Sequence, residues 1–277
     1  MSTITAAQVN ELRKKTGAGM MDCKKALVEA EGDFEKATDI LRKKGQKLAS
    51  SRADRSANEG VVLSTVVADG TKAYAVMLNC ETDFVAQNKE VIDFTRAILN
   101  LAVEKELDTI DALKSAEMNG RTVVENITDM VGKTGEKMEL GAFGFVAGAK
   151  AFAYTHPGNK IAAIAAFNKS EVSDIDTVGK DVVMQIAAMA PVAIDKGDVS
   201  PAIIDKEIEI GMEQARQEGK PEELLEKIAM GKLNKFFKES TLVNQDFIKD
   251  SKKTVGQMLQ AADKDLNVIA FERLSLV

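Results

Sequence analysis

Tryptophan is absent from this chain, histidine occurs once, cysteine and tyrosine twice each, and proline four times. Each shortage excludes something. Aromatics make up only 5% of the 277 residues, so few rings are available on which the bases of a single nucleic-acid strand could stack. A formal net charge of -6 argues further against a dedicated nucleic-acid binder, whose hold on phosphates needs concentrated Lys and Arg. Cys23 and Cys80 are too few for a disulfide framework or a cysteine-rich zinc site. Both are expected to be reduced thiols in a cytoplasmic protein. No apolar run reaches membrane-spanning length, and the N-terminus has no basic segment followed by an apolar core, so neither a membrane partner nor a secretion signal is expected.

Catalytic signatures are missing too. The sequence has no GxxxxGKS/T loop, no GxGxxG turn and no HExxH pair, the usual carriers of nucleotide hydrolysis, dinucleotide chemistry and zinc proteolysis. One histidine leaves Cys80, Asp83 and His156 as the single conceivable nucleophilic trio. His156 sits in Tyr154-Thr155-His156-Pro157-Gly158, a turn before a strand, where exposed hydrogen bonding is the expected role. No catalytic residue, no metal site and no cofactor of its own is therefore assigned, and the chain is not expected to be an enzyme.

What is present is material for cores: 45% of residues are hydrophobic, and the length suffices for two or more compact units. Residues 1–45 read as a three-helix module. Thr5 with Gln8 forms a capping-box pattern, Val9 and Leu12 supply an inner face, and Gly17 stops the first helix. Asp22 is expected to cap a second helix carrying Cys23, Ala26 and Leu27, and Asp33 a third carrying Phe34, Ala37, Ile40 and Leu41, closed by Gly45. Residues 1–56 hold 12 Lys and Arg against 8 Asp and Glu, a mild excess that reads as a solvated helix face. Residues 46–58 read as a polar linker, helical at most at its start.

Residues 59–140 form a first core unit: a strand over Val61–Val67, an Asp69-Gly70 turn, a second strand over 72–79, then helical spacing at Val91, Phe94, Ile98 and Leu101 and again at Val123–Val131. Residues 141–197 and 230–277 form a second. There Gly158-Asn159-Lys160 opens the strand Ile161–Phe167 before a helix from about Asp174 to Met189, a weak echo of the strand and helix that come after Gly70-Thr71-Lys72. Between them, residues 198–229 hold an antiparallel helical hairpin broken at Gly219-Lys220-Pro221. The fold class is α+β.

The most informative stretch is Asn79-Cys80-Glu81-Thr82-Asp83-Phe84-Val85-Ala86. A strand of buried character, Ala73–Leu78, ends there in a polar turn that pushes Phe84 outward. Phe84 is either displayed for another molecule or folded back as an anchor for the next helix. Thr82-Asp83-Phe84-Val85-Ala86 resembles the TDFVA signature of the elongation factor Ts family, the guanine-nucleotide exchange factors of elongation factor Tu. Glu11–Leu27 is similar to the N-terminal signature of the same family, and Glu226-Lys227, Gly231, Lys235-Phe236, Leu242, Gln245 and Thr254-Val255-Gly256-Gln257 look like its later landmarks in order.

The resemblance implies a ubiquitin-associated-like N-terminal module, a core of two α+β subdomains and a coiled-coil insertion through which members self-associate, so a homodimer through the hairpin is expected. It implies elongation factor Tu as partner. Thr82, Asp83, Phe84 and Val85 would dislodge the partner's Mg²⁺, with Phe84 as a wedge. Arg13, Met20 and Met21 would make a second contact to the GTPase domain, and the region of His156 would grip another domain. GDP and Mg²⁺ in this scheme belong to the partner. Two departures are visible: Gln87 stands where many members carry Lys or Arg, and the sequence ends at Phe271–Val277 where longer members continue into a helical module, whose contacts are not expected here. The alternative reading is a non-catalytic scaffold whose ubiquitin-associated-like module binds a protein.

Overall fold

Thr5 and Gln8 close a reciprocal capping box that starts α1 (Ala6–Thr16), and Gly17, at φ 71°, ends it in the left-handed conformation that glycine adopts without strain. The computed structural model describes residues 4–276, so residues 1–3 of the first module and Val277 lie outside the described residues. Helix α2 (Met20–Glu29) starts at Gly19, not at Asp22 as expected. Asp22 instead occupies the first turn, where its carboxylate complements the helix dipole and reaches Lys44 Nζ at 2.5 Å.

The Asp33 carboxylate accepts from the N–H groups of Glu35 and Lys36 and caps α3 (Phe34–Ser51). This helix runs straight through the expected stop at Gly45. That glycine lies against a later helix rather than ending its own: a Cβ built on Gly132 would stand only 3.2 Å from the Cα of Gly45. The module's last helix therefore crosses into the segment read as a linker, of which 46–51 are helical.

The remaining chain runs β1 (Glu59–Val66), β2 (Lys72–Cys80), α4 (Asp83–Ala86), α5 (Lys89–Glu104), α6 (Ile110–Ser115), the ribbon β3 (Glu117–Met118) and β4 (Arg121–Thr122), α7 (Val123–Thr134) and β5 (Met138–Ala147). After these come β6 (Lys150–Thr155), β7 (Ile161–Phe167), α8 (Ile175–Met189), α9 (Pro201–Gln217), α10 (Glu222–Ser240), the ribbon β8 (Asp246–Phe247) and β9 (Asp250–Thr254), α11 (Val255–Ala262) and β10 (Val268–Ser275).

Two antiparallel sheets result, ordered β1-β2-β5 and β10-β7-β6. Each consists of a hairpin, a helical segment, and a return strand that joins the hairpin's second strand. That shared plan is the physical source of the echo in the sequence.

Side-chain alternation decides how the sheets stack. Along β2, Tyr74, Val76, Leu78 and Cys80 face the cluster formed with α5 and α7, whereas Ala73 and Ala75 face the other sheet. Ala162, Ile164 and Ala166 of β7 meet them there, and the small alanine faces let the sheets pack closely. On the far side, Ala163, Ala165 and Phe167 pack with Val182 and Ile186 of α8 and Leu259 of α11. The order of layers is helix, sheet, sheet, helix. At one edge the sheets are also hydrogen-bonded, Ser64 N donating to Thr155 Oγ1 at 2.9 Å and Val62 N to the Asn159 carbonyl at 2.7 Å.

Two expected boundaries move. The limit between 140 and 141 falls inside β5, which pairs with β2 from Met138 to Ala147 and so belongs to the first sheet. The limit between 229 and 230 falls inside α10, which continues to Ser240 because nothing in 230–240 breaks it. In the hairpin, Gly211 lies against Ala229, with Ala215, Leu225 and Leu233 buried alongside. Its base is tied to the core where Val192 N donates to the Ser240 carbonyl at 2.8 Å.

Candidate functional site

Strand β2 delivers the chain to the candidate site, and side chains from three elements fix the turn beyond it. Thr82 caps α4: its hydroxyl accepts from Val85 N at 3.4 Å and donates to Glu136 Oε1 at 2.7 Å, while Thr82 N donates to Glu136 Oε2 at 3.0 Å. Ala86 is buried beneath the turn, Val85 packs on the first core, and Asn88 caps α5 immediately afterwards. The expected polar loop is thus one helical turn with a fixed base. Phe84 is 83% exposed on it and Asp83 is exposed beside it. A large ring so bare on an anchored turn is displayed, not folded back.

Glu81, one residue earlier, accepts from Arg52 Nη1 and Arg55 Nη1, each at 3.0 Å, and from Lys137 N at 2.6 Å. The backbone N–H of Lys137 first, and then the two guanidinium groups, hold its carboxyl at about 2, well below the usual carboxylate range. Sequence reading missed Arg52, Arg55, Glu81 and Glu136. Arg52 and Arg55 follow the end of α3 and carried no local signal, because their partner lies 26 residues or more away in the chain.

The turn between β6 and β7 brings His156 to the same region. His156, Pro157, Asn159 and Lys160 line one wall of a groove of about 480 Å³, and Asp83, Ala86 and Gln87 line another. The Tyr154 hydroxyl lies 2.8 Å from His156 Nδ1, and Lys160 pairs with Glu59 at 2.9 Å. Arg13, Met20 and Met21 do not line this groove. They lie on α1 and α2, where Met20 is 46% exposed and Met21 62%.

The nucleophilic trio is not assembled as one. Cys80 is fully buried, its thiol donates to the Thr82 carbonyl at 3.2 Å, and burial pushes its pKa up to about 12. The thiolate needed for attack is not populated near neutral pH. Iodoacetamide at pH 8 is expected to leave Cys80 unmodified in the folded protein and to alkylate it after denaturation; rapid alkylation of the native protein would contradict the buried-thiol assignment. Among the described residues no group of three His, Cys, Asp or Glu is placed to hold a metal ion, and no helix is long and apolar enough to cross a membrane.

The anchored turn that displays Phe84 beside the His156 groove has counterparts in known proteins. A sequence model of the family described as Elongation factor TS matches residues 81–276, from Glu81 at the root of α4 to the end of the core. Proteins named elongation factor Ts cover the part before it. The one from Cytophaga hutchinsonii is 50% identical over the whole of both chains, and the one from Christiangramia forsetii is 49% identical, also over the whole of both. That of Porphyromonas gingivalis is 49% identical over 99% of this chain and 98% of its own. With the profile spanning the site and the core, and relatives matching from end to end, the chain belongs to the elongation factor Ts family.

Proposed function

We propose that this chain is a guanine-nucleotide exchange factor for elongation factor Tu, and that the Asp83-Phe84 turn is the part that opens the partner's nucleotide site. The observation that carries the reading is Phe84, 83% exposed on a helical turn whose base is buried and hydrogen-bonded. Exchange needs no reactive residue. A factor that binds the nucleotide-free GTPase better than the loaded form weakens nucleotide by the same ratio, because linkage is reciprocal. Each tenfold of release corresponds to about 1.4 kcal/mol, and burying one Phe side chain is worth about 1.5–3 kcal/mol, so Phe84 can supply roughly ten- to a hundredfold. Other surfaces supply the rest.

Thr82 and Val85 hold the turn while Asp83 and Phe84 enter the GTPase domain, displacing the elements that organise its Mg²⁺. Loss of that ion removes the charge that holds the phosphates. Arg13, Met20 and Met21 on the ubiquitin-associated-like module make a second contact, which raises local concentration. His156, across the groove from Asp83, contributes a third. No covalent step and no cofactor of the factor's own is involved, and the protein acts in the cytoplasm without nucleic acid or membrane. Affinity for nucleotide-free Tu, measured by titration calorimetry, is expected to exceed that for Tu-GDP with Mg²⁺ by orders of magnitude. Equal affinities would refute exchange by linkage and leave a passive binding scaffold.

The α9–α10 hairpin is assigned to self-association. Its arms bury Ala215, Leu225 and Leu233 between themselves but leave Ile210, Leu224 and Met230 exposed. Because Gly211 lies against Ala229, residues 205 and 235 stand opposite each other, and a short linker can replace 206–234 without disturbing the base. This deletion is expected to change the mass of the assembly in light scattering while preserving exchange. Unchanged mass, alone and with Tu, would remove the association role.

A further inference from the structure

We propose that Glu81 and Glu136 form a reciprocal clamp that positions the Phe84 turn, and that Arg52 and Arg55 couple that clamp to the N-terminal module. The proposal rests on the exchange function argued above and names residues that act through Phe84 without touching the partner.

Strands β2 and β5 pair as far as Cys80 and Met138. Past that point the ladder is replaced by side chains. The Glu81 carboxylate accepts from Lys137 N at 2.6 Å, and the Glu136 carboxylate accepts from Thr82 N at 3.0 Å. Each carboxylate thus holds the backbone of the facing segment, and Glu136 also holds the Thr82 hydroxyl that caps α4. Fixing Thr82 at both backbone and hydroxyl fixes the entry angle of a turn only four residues long, which has little stability of its own.

The second half of the device reaches the module. Arg52 comes directly after the last turn of α3 and Arg55 lies three residues on; both grip Glu81, whose side chain is 15% exposed. Lys137 Nζ donates to the Arg55 carbonyl at 3.0 Å and pairs with Glu139 at 3.3 Å, closing the ring of contacts. The same α3 packs on α7 at the Gly45–Gly132 contact. One helix therefore connects the surface bearing Met20 and Met21 to the root of the wedge.

The test is a double-mutant cycle read in stimulated GDP release from Tu, using the full chain. Glu81→Gln is expected to lower the rate at saturating factor about tenfold, the order associated with losing charge-assisted hydrogen bonds, with half-saturation little changed. In a Phe84→Ala background the same substitution is expected to have no further effect, because its influence passes through Phe84. Arg55→Gln, at a half-exposed side chain, is a milder probe that keeps the fold intact and is expected to lower the saturated rate about threefold.

Equal effects of Glu81→Gln in both backgrounds, or a fall in affinity alone, would overturn the positioning role. No exchange by the wild-type factor would instead overturn the functional reading beneath it. The charge has its own signature. A carboxyl held at about 2 in the folded protein stabilises it above the ordinary Glu range and loses that contribution as pH falls toward 2. The stability gap between wild type and Glu81→Gln is expected to narrow through that window, and a gap independent of pH would contradict the ion-pair basis.

Discussion

Phe84→Ala is expected to slow factor-stimulated GDP release from Tu about ten- to a hundredfold at saturating factor while leaving the melting temperature of the free protein nearly unchanged. The size comes from the burial free energy of one phenyl ring, about 1.5–3 kcal/mol, expressed only when the ring is inserted in the partner. The lack of a stability effect comes from exposure: with 83% of the residue already in water, truncation removes little packing from the free fold. If the ring contacts the partner equally in every state, affinity falls and the saturated rate does not. Stopped-flow release at several factor concentrations separates the two cases, and differential scanning calorimetry checks the fold. A melting point lowered as far as for a core Phe would return Phe84 to a structural role.

Deletion of residues 1–55 is expected to cost more than the affinity supplied by Met20 and Met21. A tethered second contact alone would let high factor concentrations recover the rate. This deletion also takes Arg52 and Arg55 from Glu81, and Leu48 and Ala49 from the first core. The saturated rate should therefore remain about tenfold low, the effect expected of losing the charge-assisted bonds to Glu81, and the melting temperature should fall. Replacing only Arg52 and Arg55 with Gln in the full chain should reproduce the loss of rate while keeping affinity. Full recovery of the deleted protein at saturation would show that the module contributes affinity alone.

Phe84 was legible only in part: a strand of buried residues followed by a run of polar ones put the ring at a strand end. With Val85 and Ala86 beside it that context fitted display and fold-back alike, and its 83% exposure on the anchored turn decides for display. The capped helices were more fully legible, since Thr5 with Gln8 and Asp33 act on backbone groups within a few residues. Gly45 misled because a glycine says only that a Cβ is absent. Whether it ends a helix or admits Gly132 depends on a segment far along the chain.

Strand β5 was hidden for a related reason. Met138–Ala147 contains Gly141 and Gly144, which weaken the strand signal, yet a Cβ at Gly141 would meet the Asn79 side-chain oxygen at 2.0 Å and one at Gly144 the Glu272 side chain at 3.1 Å. The Glu81–Glu136 clamp escaped notice because both glutamates look like ordinary solvated charges until distant segments of the chain are brought side by side. Local signals marked the turn that carries Phe84, and only the assembled fold revealed its mounting.

In the proposed function, the Asp83-Phe84 turn of this chain ejects GDP from elongation factor Tu. The most direct measurement is release of fluorescent GDP from Tu with the purified factor well below the Tu concentration and excess unlabelled nucleotide. All the labelled GDP is expected to leave at a rate proportional to factor concentration, each molecule of factor acting many times. Release that stops after one GDP per factor, or a rate equal to that of Tu alone despite complex formation, would contradict it.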